Sequence, residues 1–116
     1  IDGCKWLVPQ YVPNKFVSSY YTFALLYKGY EKFGVEWHDF RKLLMDMGGD
    51  GIYGAHSLPY QEPSIQKLNI SGSGLCPVAE SLQPQMMYFK TNYRDLNHAQ
   101  KKIDILKELI DRVENK

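Results

Sequence analysis

Two cysteines in 116 residues, Cys4 and Cys76, are too few for a disulfide framework or a four-thiolate metal site. One bridge stays open on paper, but without any secretory sign beside them they read as reduced thiols of a cytoplasmic protein. Long hydrophobic runs are also missing. The longest, around Phe23–Tyr27, is strand-length and far below the roughly 20 residues that a membrane span needs. The opening Ile1-Asp2-Gly3-Cys4-Lys5 has no apolar stretch of the signal-peptide kind and no Met, so the chain reads as a piece of a longer protein. Charge of one sign is scarce: 14 Lys and Arg against 13 Asp and Glu leave +1. That near-balance excludes the electrostatic footprint of non-specific nucleic-acid or anionic-membrane binding. His38, His56 and His98 stand far apart with no His-x-x-x-His pair, so no metal site is expected. There is no internal repeat and no low-complexity segment.

What is present is ordinary globular material, 44% apolar and 23% charged. A chain of this size makes one domain that buries about two thirds of its unfolded surface. Residues 1–18, with Pro9, Pro13 and scattered aromatics, read as an extended lead-in, because each proline removes a ladder donor and pushes its predecessor toward extended geometry. Ser18–Lys28 follows, apolar on both faces, and is expected to be a central strand. Gly29 and Gly34 bracket a turn. From Glu36 to Met47 the period changes: Trp37, Phe40, Leu44 and Met47 recur at helical spacing. The helix lacks a good N-cap, but Gly48-Gly49 ends it well, since a left-handed residue there carries no Cβ penalty at glycine. Gly51–Ala55 reads as a short strand. His56–Leu75 is a loop with two prolines and four serines, Cys76-Pro77 opens a short helix that Pro84 closes, and Gln85–Lys90 is a third strand. The last helix carries Asn97 and Gln100 as a capping-box pair, an apolar face of Ile103, Leu106, Ile110 and Val113, and a Glu108–Arg112 pair. The order predicts a two-layer α/β (α+β) domain, a small mixed or antiparallel three-stranded sheet with helices packed on one face.

Chemistry is sparse in this pattern. Gly48-Gly49-Asp50-Gly51 follows a helix and precedes a strand, the reverse of a phosphate loop, and is read as a C-cap and turn. Cys76 lies at a helix start that would favour its thiolate, but no base is placed beside it, so it reads as a capping or packed thiol. Tyr20, Tyr21, Tyr27, Tyr30 and Tyr88 read mostly as core or sheet-face residues. Tyr53, His56 and Tyr60 differ: a strand leaves the sheet there and becomes a loop, which is where pocket walls are built. A plain surface loop with a Pro-Tyr turn explains the same residues equally well.

Read together, Ser19-Tyr20-Tyr21-Thr22-Phe23, Gly49-Asp50-Gly51-Ile52-Tyr53, the loop His56–Pro63, Cys76-Pro77-Val78-Ala79-Glu80, Gln85–Phe89 and Asn97–Val113 resemble the C-terminal small domain of the DegT/StrS group of nucleotide-sugar aminotransferases. The wording Gly48–Ala55 looks most like the perosamine-synthetase-like branch. The likeness runs from about Val12 to the end, and Cys-Pro-x-Ala-Glu at this distance after Gly-Ile-Tyr is its specific element. Glu36-Trp37 stand where the family often has a Ser cap and an Arg, and Phe89-Lys90 where it often has Leu-Pro.

The resemblance implies a parent enzyme of polysaccharide biosynthesis, dependent on pyridoxal phosphate, that moves an amino group, typically from glutamate, to a keto-sugar carried on a nucleotide. It implies the small domain of an aspartate-aminotransferase-type fold, with the large domain of the same polypeptide as partner and a homodimer as the assembly. The Schiff-base lysine and the cofactor's phosphate and pyridinium partners belong to that large domain. No catalytic or cofactor-binding residue is therefore expected in this chain, and Tyr53, His56 and Tyr60 are expected to wall the sugar end of the active site. Lys28, Lys42, Lys90 and the terminal-helix lysines read as solvated. The rival expectation is a free-standing α/β ligand-binding or regulatory module, because fold does not fix function. A severed domain should expose apolar surface near Trp6, Tyr11 and Phe16; a free-standing one should cover it.

Overall fold

The computed structural model describes residues 1, 3–54, 57–68 and 72–115. Three antiparallel strands, β1 (Leu7–Pro9), β2 (Thr22–Tyr27) and β3 (Met86–Lys90), form a sheet in the order β1-β2-β3. β2 is central, as its two apolar faces predict. Its register sets Tyr27 opposite Leu7, Leu25 opposite Met87 and Phe23 opposite Phe89. Because side chains alternate along a strand, these residues share one face, and that face carries the core. Among the described residues there are five α-helices, α1 (Gly29–Phe33), α2 (Trp37–Asp46), α3 (Pro63–Gln66), α4 (Pro77–Leu82) and α5 (Leu96–Glu114).

The core joins this face to α2 and α5. Trp37, Phe40 and Leu44 come from α2, and Leu109, Ile110 and Val113 from α5. Each fully buried aliphatic or aromatic side chain contributes about 1.5–3 kcal/mol over its exposed state. The ring of Trp6 meets Tyr27, Phe33 and Phe40 edge-on at centroid distances of 5.4–5.6 Å, the arrangement the ring quadrupoles favour. Its indole N–H donates to Glu114 Oε1 at 2.7 Å. The Tyr27 hydroxyl donates to the Val35 carbonyl at 2.7 Å.

The lead-in thus differs from its expectation in one part. Residues 7–9 pair with β2 and Trp6 is fully buried, while Tyr11 and Phe16 are 83% and 69% exposed. A three-residue strand ending in proline is tolerated because it lies at the sheet edge, where Pro9 costs no ladder donor.

Three further differences have local causes. The strand expected at Gly51–Ala55 is, in its described part, a single bridge between Tyr53 and Tyr88. Gly54 passes so close to Trp37 and the Met86 carbonyl that a Cβ there would sit 3.0–3.1 Å from them. The cap of α5 is Asp95, whose carboxylate accepts the Asn97 N–H at 2.9 Å. Asn97 is already helical and so cannot serve as the cap; Gln100 donates instead to Asp104. On α5, Leu109 replaces Ile103 in the buried stripe, and Ile103 is 44% exposed. The stop of α2 is as expected: Gly48 adopts φ +83°, and the Gly49 N–H closes on the Leu44 carbonyl at 2.8 Å.

Candidate functional site

A cavity of about 470 Å³ opens between the sheet, the end of α2 and the first half of α5. Phe23 and Phe89, opposed on neighbouring strands, form its floor. Ala99, Ile103 and Leu106 form one wall, spaced so that they share a face of α5. The apolar face expected of α5 is therefore split between two tasks. Its C-terminal half enters the core, and its N-terminal half faces open space. Tyr20 stands at the mouth, with its ring centroid 6.0 Å from that of Phe23. Its backbone is left-handed at φ 47°, a costly state for a non-glycine residue. Ser18 Oγ accepts the Tyr20 N–H at 3.1 Å and the Thr91 hydroxyl donates to the Tyr20 carbonyl at 2.6 Å, which holds that turn in place.

The polar rim centres on Asp50. Its carboxylate accepts the Tyr93 hydroxyl and lies 3.4 Å from Lys90 Nζ and 3.5 Å from Lys102 Nζ. Lys102 also donates to the Gly48 carbonyl at 2.6 Å, one of the carbonyls exposed where α2 ends. The Lys90 ammonium sits 4.8 Å from the centre of the Tyr93 ring. Burial alone would favour the protonated carboxyl of Asp50. The Tyr93 hydroxyl and the two lysines outweigh it and hold the pKa below the ordinary carboxylate value. Burial and the hydrogen bond to Asp50 push the Tyr93 phenol up. Lys90 and Lys102 are thus not the solvated lysines that the sequence predicts. Nothing local could have shown this, because Asp50 reads as a turn residue and its partners come from β3 and α5.

The three residues predicted to wall a sugar site do not converge here. His56 lies outside the described residues. Tyr53 is 63% exposed on its bridge beside β3. Tyr60 lies in a single helical turn, Pro59–Gln61, and its hydroxyl donates to Glu80 Oε1 at 2.5 Å. The same oxygen accepts the Gly74 N–H at 2.7 Å. Among the described residues no hydrogen bond or ring contact joins Tyr53 to Tyr60. Burial and the Glu80 carboxylate push the Tyr60 phenol up to about 12, and the Tyr60 hydroxyl with the Gly74 N–H holds Glu80 below its ordinary value. This second cluster fastens the loop to α4. Gly72 lies directly under the Tyr60 ring, where a Cβ would meet it at 2.6 Å.

Among the described residues, no group of His, Cys, Asp and Glu could hold a metal ion, and no helix is long and apolar enough to cross a membrane. Cys4 is half-buried and Cys76 exposed, both as free thiols. Pyridoxal phosphate needs a lysine free to form an imine, an acidic partner for its ring nitrogen and a cradle for its phosphate. The two lysines that share Asp50 at the cavity are committed to ion pairs, and Gly48–Gly51 lies at the wrong end of its helix to cradle a phosphate. No family model, no curated protein and no solved structure matches the chain.

Proposed function

We propose that this chain is the small C-terminal domain of an aminotransferase dependent on pyridoxal phosphate, acting on a nucleotide-linked keto-sugar. The reading rests on the sequence resemblance, and one structural observation carries it further. Tyr60 comes from the Tyr/His/Pro loop and Glu80 from Cys-Pro-x-Ala-Glu, the two segments on which the resemblance depends, and they are hydrogen-bonded to each other. The glutamate of that motif is thereby a fastener that shapes the loop, and no proton-transfer role falls to it. The large domain would supply the cofactor site, glutamate the amino group, and the assembly would be a cytoplasmic homodimer.

The open surface supports a domain that packs on another. Tyr11, Phe16, Val17 and Tyr21 are 69–98% exposed along one stretch. The radius of gyration is 16.3 Å, against about 13 Å for a compact chain of this length.

The test is an assay of the parent polypeptide, read from the frame upstream of Ile1, with pyridoxal phosphate, glutamate and a nucleotide-linked keto-sugar. Expected is an aminated sugar, together with a raised Michaelis constant for the sugar in the His56→Ala variant while cofactor binding is retained. An initiator Met directly before Ile1, or a parent that binds no pyridoxal phosphate, would overturn the reading. The rival, a free-standing ligand-binding module, is favoured by a single feature, the apolar cavity beside α5.

A further inference from the structure

The cavity beside α5 is a site in its own right, separate from Tyr53, His56 and Tyr60. Its volume of about 470 Å³ falls within the range of small-molecule sites. Its floor and wall, from Phe23 and Phe89 to Ile103 and Leu106, offer no hydrogen-bonding side chain, so the body of an occupant must be apolar. Its rim is not neutral. Lys90, Lys102 and Lys107 face it against the single carboxylate of Asp50, three positive charges to one negative, or a net +2. Asp50 is shared by Lys90 and Lys102, whereas Lys107 has no ion-pair partner among the described residues. An apolar body with one anionic end satisfies both parts: the lysine excess disfavours a cation and leaves a neutral molecule without a partner for Lys107.

We propose that this cavity binds a small amphiphilic carboxylate, its hydrocarbon against Phe23, Phe89, Ile103 and Leu106 and its carboxylate at Lys107. The Tyr20 turn held by Ser18 and Thr91 sets an aromatic wall at the mouth. The proposal does not depend on the aminotransferase reading, and neither stands or falls with the other.

The test is a calorimetric titration of the whole chain with decanoate, decanol and decylamine below their micelle-forming concentrations, with methyl shifts of Ile103 and Leu106 read in parallel. Decanoate should saturate at one per chain and shift both methyls. Decanol should bind about tenfold more weakly, the loss of one charge-assisted contact. Decylamine should bind more weakly still. Lys107→Gln, an exposed position that folding does not need, should weaken decanoate about tenfold and leave decanol unchanged. Ala99→Phe should fill the cavity and abolish decanoate binding, with an unchanged far-ultraviolet spectrum. Equal affinities for the three probes, binding that survives Ala99→Phe, shifts confined to residues 11–21, or no saturation at all would each overturn the proposal. If Ala99→Phe does not fold, the decanoate-to-decanol ratio in Lys107→Gln decides: a ratio equal to that of the native chain overturns it.

Discussion

Asp50 and Glu80 each accept a tyrosine hydroxyl, but the ground beneath the two carboxylates differs. Asp50 stands just past the end of a core helix, close to Leu44 and Gly49, and two lysines share its charge. Glu80 stands on a six-residue helix that buries none of its residues, and the donors that reach it are neutral. The first cluster is therefore braced by the core and coupled to charge. The second braces a loop and gains nothing from the core. A tyrosine–carboxylate bond has no fixed structural meaning; what lies behind it decides whether its loss is felt by the whole fold or by one segment.

The sharpest contrast lies in the supports. Leu44→Ala removes a fully buried side chain under the Asp50 cluster and should cost about 2–5 kcal/mol in a denaturant titration. Val78→Ala, on the helix of Glu80 and 70% exposed, should stay within about 0.5 kcal/mol. Equal costs would erase the distinction.

Next come the carboxylates themselves. Asp50→Asn leaves two ammonium groups without their counter-charge and should cost about 1–2 kcal/mol, an effect that shrinks toward about 1 M salt. A cost indifferent to salt would place the role of Asp50 in its hydrogen bond to Tyr93 alone.

The two clusters should also part company with pH. Asp50 has a depressed pKa in the fold, so its contribution is whole above the ordinary carboxylate value of about 4 and is lost as the pH falls through the folded value. Tyr60 is shifted the other way: its contribution is whole below about pH 10 and is lost as the pH rises toward about 12. Stability of the native chain minus that of Asp50→Asn should therefore collapse only in acid. An unchanged difference at about pH 3 would contradict the charge coupling.

The smallest global effect belongs to Glu80→Ala, whose carboxylate holds a loop at the surface and not the core. Its visible consequence is local: protease nicking within residues 57–68 should rise several-fold while the main unfolding transition stays put. A large fall in that transition would make the loop part of the core's cooperative unit.

What could be read without coordinates follows the range of the forces involved. β2 and α2 were legible because Phe23–Tyr27 and Trp37–Leu44 carry their burial in their own spacing. The stop at Gly48-Gly49 was legible because left-handed backbone is a property of the residue itself. The sequence puts the cap of α5 at Asn97, two residues past Asp95, since both are capping types and only backbone geometry separates them. β1 was hidden by its brevity and by Pro9; its strand character comes from pairing with residues 25–27 and from the pocket that takes Trp6. The Asp50 cluster was out of reach for the same reason, its partners arriving from positions 90, 93 and 102. Of the predicted wall, the Tyr60 position is tied to Glu80 by a bond that no spacing rule announces.

The bond from the Trp6 indole to Glu114 links positions 108 apart. A ribosome makes Trp6 well before Glu114, so the indole waits through 108 further positions before its N–H is satisfied. Through that interval Trp6 has its place among Tyr27, Phe33 and Phe40 available but not its final partner, and the edge strand beside it can still peel away. Emergence of α5 acts as a latch on work already done upstream. Loss of the last turn of that helix would leave the newborn chain with its sheet edge unlocked and the fully buried Trp6 ring carrying an orphaned donor.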